Sequence, residues 1–204
     1  MSADSVAAKR LIGLLISHHV AITSTLPSTA ASASGGGSLP DGRPWVQPAA
    51  LEAMSPAARD AYLYWRNRPA KNRDAIARLL RRDMDLERAF VAAGGLLLAG
   101  ADPVGLGGLV PGFADLREIE LLVEAGFPPV EAIRIATLNG AVFLGRQDRI
   151  GSIAVGKNAD LVAVKGDPVA RIADIENVEI VFKDGVGYDP TKLLAAAKGH
   201  YGQY

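Results

Sequence analysis

The sequence predicts an α/β fold in which helices alternate with strands buried on both faces, followed by a strand-rich C-terminal segment. Three observations carry this reading. Residues 96–101, Leu-Leu-Leu-Ala-Gly-Ala, are a continuous apolar run, the mark of a strand in a parallel sheet covered on both sides. A helical period over residues 73–93 and a Gly94-Gly95 turn precede that run, and two more helical stretches follow it. From Gly151 to Gly185 the pattern changes to short β-branched runs punctuated by glycine.

Near the N-terminus, Val6, Leu11, Leu14 and Leu15 suit one face of a helix, and residues 20–26, Val-Ala-Ile-Thr-Ser-Thr-Leu, read as a β-branched strand. Lys9-Arg10, the apolar run 11–16 and Ala31-Ser32-Ala33 have the outline of a secretory signal over residues 1–33. Ser17, His18 and His19 interrupt that run, far short of the roughly 20 apolar residues of a membrane span. A helix feeding a strand is the better reading. Residues 27–56 are rich in Ser, Ala, Gly and Pro, show no period, and read as a long loop. Trp45 and Trp65, with Tyr62 and Tyr64, either pack this region down or face a ligand.

The 73–93 helix carries Ile76, Leu79, Leu80, Leu86 and Phe90 at helical spacing, with Arg78, Arg81, Arg82, Asp83, Asp85 and Glu87 on the other faces. Acidic residues interleave the arginines that begin at Arg66, so this is a solvated face and not a nucleic-acid surface. Gly94-Gly95 caps the helix. Asp102 follows the buried strand at its carboxyl end, the place where barrel-type α/β enzymes put their chemistry.

Gly105, Gly107, Gly108 and Gly112 come next, but Val110 stands where a dinucleotide fingerprint needs its third glycine, so the segment reads as a flexible rim. Leu116, Ile119, Leu122 and Val123 form one helical stripe. Val130, Ile133, Ala136 and Ala141 form another behind Pro128-Pro129, closed by Gly145. Gly151-Ser152-Ile153 and residues 159–164 read as two short strands around Gly156-Lys157-Asn158, and residues 178–185 as a third. Lys157 and Asp160 read as structural in this segment.

Several of these runs together resemble the C-terminal end of a metal-dependent amidohydrolase, of the imidazolonepropionase-like and cyclic amidohydrolase kind. Residues 131–144, Glu-Ala-Ile-Arg-Ile-Ala-Thr-Leu-Asn-Gly-Ala-Val-Phe-Leu, carry the most specific match, to "Glu-Ala-Leu-x-x-Ala-Thr-x-Asn-x-Ala". Residues 19–26 resemble the family's seventh barrel strand, and Gly100-Ala101-Asp102 its "Gly-Thr-Asp". The resemblance implies the last part of a TIM-type (β/α)8 barrel, strands 7 and 8 with their helices over residues 1–145. It further implies β-sandwich strands over 146–190 and a tail over 191–204. It also implies a role for Asp102, as metal ligand and as the general base that takes a proton from water and returns it to the leaving nitrogen. The expected reaction is metal-dependent hydrolysis of an amide or cyclic amide C–N bond in a small non-peptide or dipeptide substrate, with a divalent metal, zinc first. Two departures stand out: Ala101 replaces the family's threonine, and Leu116 or Arg117 stands where relatives often carry histidine.

Length limits what the chain can hold. Its 204 residues fall short of the about 250 of a complete barrel. Lys plus Arg and Asp plus Glu balance at 22 each, which recommends neither nucleic acid nor an anionic membrane as partner. The absence of cysteine excludes disulfides and thiolate metal sites and fits a reducing, cytoplasmic setting. The three histidines are His18, His19 and His200, and neighbours on a strand point to opposite faces, so His18 and His19 do not share one metal. Two readings follow: the last part of a hydrolase whose site is completed elsewhere, by a separate N-terminal half or through self-association, or a non-catalytic scaffold that keeps the family's helices.

Overall fold

The computed structural model describes residues 2–34, 39, 41–66, 72–103 and 109–202. Helix α1, Val6–Ser17, is capped by Ser5, whose hydroxyl accepts from the Ala8 amide. It buries Ala8 and Ile12 against the rest of the molecule. The face expected from the sequence is a different one: Val6, Leu11 and Leu14 are exposed. A helix that is apolar nearly all round does not choose its buried face by periodicity, and here the packing against α5 chooses it.

Strand β1, Ile22–Ser24, pairs in parallel with β2, Leu97–Ala99, in the register Ile22↔Leu97 and Ser24↔Ala99. Both are shorter than the apolar runs that announce them. Ser24 and Leu97 point into the helix layer and are fully buried, whereas Thr23, on the opposite face, is exposed.

The stretch 27–56, expected as one long loop, holds two helices and the start of a third, which corrects the sequence reading. Helix α2 spans Leu26–Ser34, α3 Pro48–Ala53 and α4 Pro56–Arg66. Proline misled the reading, because at the first turn of a helix its missing N–H costs nothing and its fixed φ is already helical. Leu26 and Ala30, one turn apart, bury α2 against α5, Arg73–Ala92, which buries Met84 and Phe90 in turn. After α5 the chain turns through Gly94, φ 94°, and Gly95, whose missing side chain leaves room for the Phe90 ring.

Beyond β2, helix α6 spans Phe113–Glu124, α7 Pro129–Ala136 and α8 Leu138–Phe143. The last two break at Thr137, where φ −129° and ψ −77° interrupt what reads as a single helix. The expected stripe of Val130, Ile133, Ala136 and Ala141 is buried only at Ala141: Val130 is exposed, Ile133 and Ala136 are half-buried, and Ala132 and Ile135 enter the core instead. That core joins Leu26, Met84, Leu97, Leu121, Leu122, Phe127 and Ile135. A second, smaller one joins Ala50, Met54, Tyr62 and Val110.

The C-terminal segment is a three-stranded antiparallel sheet of β3, Leu161–Val164, β4, Val178–Lys183, and β5, Val186–Tyr188. Residues 151–153 form no strand, contrary to expectation. Strand β5 is an addition. Asp184 and Gly185 both adopt positive φ, 50° and 82°, and make the two-residue turn that reverses the chain into it. A 3₁₀ turn, Ile172–Glu176, leans this sheet on α6. The expected tail begins as α9, Pro190–Ala197, and then returns to the smaller core, with the Tyr201 amide donating to Ala53 O and the Ser55 amide to Tyr201 O.

Candidate functional site

Asp102 stands three residues beyond the end of β2. Ala101 before it is buried, and Asp102 itself is exposed with φ 46°. Left-handed backbone costs a residue with a side chain roughly 1–2 kcal/mol, and aspartate is among the few that adopt it with any frequency. Such strain concentrates at working positions. The glycines Gly105, Gly107 and Gly108 lie outside the described residues; Gly112 starts α6, and its amide donates to Asp115 Oδ2 at 2.8 Å.

The structure does not bring the histidines to Asp102. His18 and His19 close α1 ahead of the amino end of β1, while Asp102 lies past the carboxyl end of the parallel β2, so they stand at opposite ends of the two strands. His200 is exposed beside α3 and α9. Among the described residues no three histidine, aspartate or glutamate side chains come together as a metal would need. A catalytic zinc takes three protein ligands as a rule, so the described donor set alone does not fit one. Lys157 and Asp160 bond within the C-terminal segment, Lys157 to Ser152 Oγ and Gln147 O, Asp160 to Lys183 Nζ and the Asp184 amide.

Arg117, at the position noted for lacking histidine, is buried and lies over the Trp45 ring, 5.3 Å from its centre. Its two terminal nitrogens donate to Glu120 and Glu124, each at 2.6 Å, and its Nε has no partner among the described residues. Glu120 also accepts from Arg43 at 2.8 Å, and Arg43 in turn pairs with Asp41 and Glu176, each at 2.6 Å. Burial, reinforced by Glu120, raises the pKa of Glu176. Arg43, Trp45, Tyr62 and Arg117 line a cavity of about 400 Å³. Two of the four aromatic residues singled out in the sequence thus share one wall, while Tyr64 is exposed and the Trp65 side chain lies outside the described atoms.

A second polar cluster was not foreseen. Ser24 from β1, Glu87 from α5 and Glu118 from α6 meet in the helix layer, where the Ser24 hydroxyl faces both carboxyls but, among the described residues, no partner stands in full hydrogen-bond geometry to Ser24 Oγ, Glu87 Oε2 or either Glu118 carboxyl oxygen. Desolvation pushes Glu118 up to about 8, aided by the neighbouring Glu87 and only partly offset by the Ser24 hydroxyl. Desolvation likewise pushes Glu87 up to about 7. A signal for this was present in the sequence. Ala114, Glu118, Leu121, Leu122 and Ala125 follow one helical face, which puts Glu118 at a core position.

This arrangement has relatives. The model of the amidohydrolase family matches residues 66–187, more than half of the chain. An adenine deaminase from Klebsiella pneumoniae is 54% identical over 44 residues, and an imidazolonepropionase from Parabacteroides distasonis 40% identical over 63. Those segments cover 22% and 29% of this chain but 7% and 15% of the relatives, so the chain spans a small part of their length. The crystal structure of a Xaa-Pro dipeptidase superimposes with a TM-score of 0.57 at 27% identity, covering 87% of this chain and 36% of that one. The α/β architecture, with β1 and β2 as neighbouring parallel strands and β3 to β5 after them, corresponds to part of the barrel and β-sandwich of that fold. On the family match, the shared segments and the shared fold, this chain belongs to the amidohydrolase family.

Proposed function

We propose that this chain supplies the last barrel strands of an enzyme that hydrolyses a C–N bond in a small amide or cyclic amide, with Asp102 as its proton-handling carboxylate. The observation that carries this is the position of Asp102, exposed and left-handed just past the carboxyl end of a parallel strand. A carboxylate there can take a proton from an attacking water and return it to the departing nitrogen. Family members generally use a divalent metal, which would activate that water. The other ligands it needs are absent from the described residues and would come from further barrel strands. The names of the relatives, an adenine deaminase, an imidazolonepropionase and a Xaa-Pro dipeptidase, fit C–N bond cleavage.

The same shortage of donors favours a second reading, a scaffold that keeps the family's helices without the reaction. A chimera separates the two. The first six barrel strands of the Xaa-Pro dipeptidase relative, joined ahead of this chain, should hydrolyse dipeptides, and Asp102→Asn should reduce kcat by about 10²-fold or more with the fold intact. A folded chimera with no hydrolysis, or one that Asp102→Asn leaves unchanged, contradicts the enzymatic reading.

A further inference from the structure

The polar cluster behind β1 is short of positive charge. Ser24, Glu87 and Glu118 come from three elements, β1, α5 and α6, and Ser24 and Glu118 are fully buried. Ser24 Oγ, Glu87 Oε2 and both Glu118 carboxyl oxygens have no partner in full hydrogen-bond geometry among the described residues. The Ser24 hydroxyl faces both carboxyls, and the Leu26 amide, at the start of α2, faces Glu118 and favours its ionised form. The charges acting most strongly on Glu118 are those of Glu87 and Asp115, and on Glu87 that of Asp83; all are negative. No basic side chain among the described residues pairs with either carboxyl. Buried polar atoms that find no partner in the protein are satisfied by water or an ion, and two adjacent carboxylates favour a cation.

The donors narrow the choice of ion. All are oxygens, with no imidazole or thiolate, a set that suits a hard cation and not zinc. Two carboxylates balance a divalent charge. Magnesium demands an octahedron and keeps several waters, for which a fully buried serine and glutamate leave little room, whereas calcium accepts a bidentate carboxylate and irregular oxygen geometry. Glu118, with both oxygens uncommitted, fits the bidentate role. We propose that Ser24, Glu87 and Glu118 bind a calcium ion that ties β1 to α5 and α6. Glu87 is only half-buried and gives the ion its way in. These side chains offer fewer oxygens than the about six to eight calcium takes, which sets a weak Kd of ~10⁻⁴–10⁻³ M, so a chain dialysed free of calcium keeps none. The inference does not depend on the role assigned to Asp102, which is exposed beyond β2 and outside the cluster.

Thermal melts of the full chain at pH 8 test the assignment, in EDTA with NaCl, in about 10 mM CaCl2 and in about 10 mM MgCl2, all at one ionic strength. Calcium should raise Tm by about 3 °C or more, and magnesium by about a third of that or less. Glu118→Gln keeps the side-chain shape, removes one charge and should abolish the rise. Ser24→Ala, which keeps both carboxylates, serves as the second variant and should reduce the rise by about half. Asp102→Asn should leave it unchanged, which separates this ion from any metal held at Asp102. No rise beyond the NaCl control would mean that the cluster holds a bound proton only and would overturn the proposal. An equal rise with magnesium, a rise lost in Asp102→Asn, or a rise kept in full by a folded Glu118→Gln or Ser24→Ala chain would each overturn it too.

Discussion

Asn139 Nδ2 donates to the carbonyl oxygen of Leu97 across a buried 2.8 Å hydrogen bond. The bond ties the start of α8 to the strand that leads to Asp102, and Asn139 belongs to the most family-specific run of the sequence. Asn139→Ala leaves a fully buried strand carbonyl short of a partner. It should cost about 1–3 kcal/mol, seen as a lower urea midpoint in far-UV circular dichroism. An unchanged midpoint would show that the bond is incidental.

Glu118 makes stability depend on pH. Its folded pKa, about 8, lies above the ordinary 4.5, so the unfolded chain loses its proton first as pH rises. Stability should therefore be highest below about pH 4.5 for this group and fall until about pH 8, where the folded form also ionises. Glu87 acts in the same direction up to about pH 7. Glu118→Gln removes the larger dependence and should raise stability at pH 8 by several kcal/mol, an order-of-magnitude figure, with little effect at pH 4.5. Thermal melts at the two pH values check this, and parallel curves for variant and parent would contradict it.

The two glycines after α5 should respond differently to alanine. A Cβ at Gly95 runs into the ring of the buried Phe90, so Gly95→Ala should destabilise by about 1–3 kcal/mol through overpacking. Gly94 has open space but φ 94°, so Gly94→Ala should cost about 1 kcal/mol through backbone strain. Combining Gly95→Ala with Phe90→Leu should recover part of the packing loss, measured by urea denaturation. No recovery would place the cost in the backbone.

Helix α5, the buried strand and the place of Asp102 just past that strand were legible in the sequence because each has a strong local cause: a 3.6-residue period in α5, a continuous apolar run before Asp102, glycines where φ turns positive. What was missed depends on partners distant in the chain. The stretch 27–56 looked like a loop because Pro27, Pro48 and Pro56 resemble breakers until their place in a first helical turn is known. The buried face of α1 was missed because its packing against α5, distant in the chain, defines it. Arg117 and Glu120 are i,i+3 neighbours on one helix, but Arg43 joins Glu120 from 77 positions away, and no local pattern brings it there.

The uncovered surfaces carry a further expectation. Among the described residues β1 and β2 pair only with each other, Thr23 on their open face is exposed, and Val6, Leu11 and Leu14 leave an apolar face on α1. Free strand edges and apolar patches promote association. Sedimentation velocity should show concentration-dependent oligomers, reduced by Leu11→Lys and Leu14→Lys together. A single monomer boundary across concentrations would contradict this.

Elemental analysis tests the central claim, that Asp102 is one member of a metal-handling site whose other ligands stand on further barrel strands. The purified chain alone should hold well under one metal per molecule, and the dipeptidase chimera about one or more, with Asp102→Ala lowering the chimera's content. Stoichiometric metal in the chain alone that persists in Asp102→Ala would contradict the account, because the ligands would then lie elsewhere in these 204 residues.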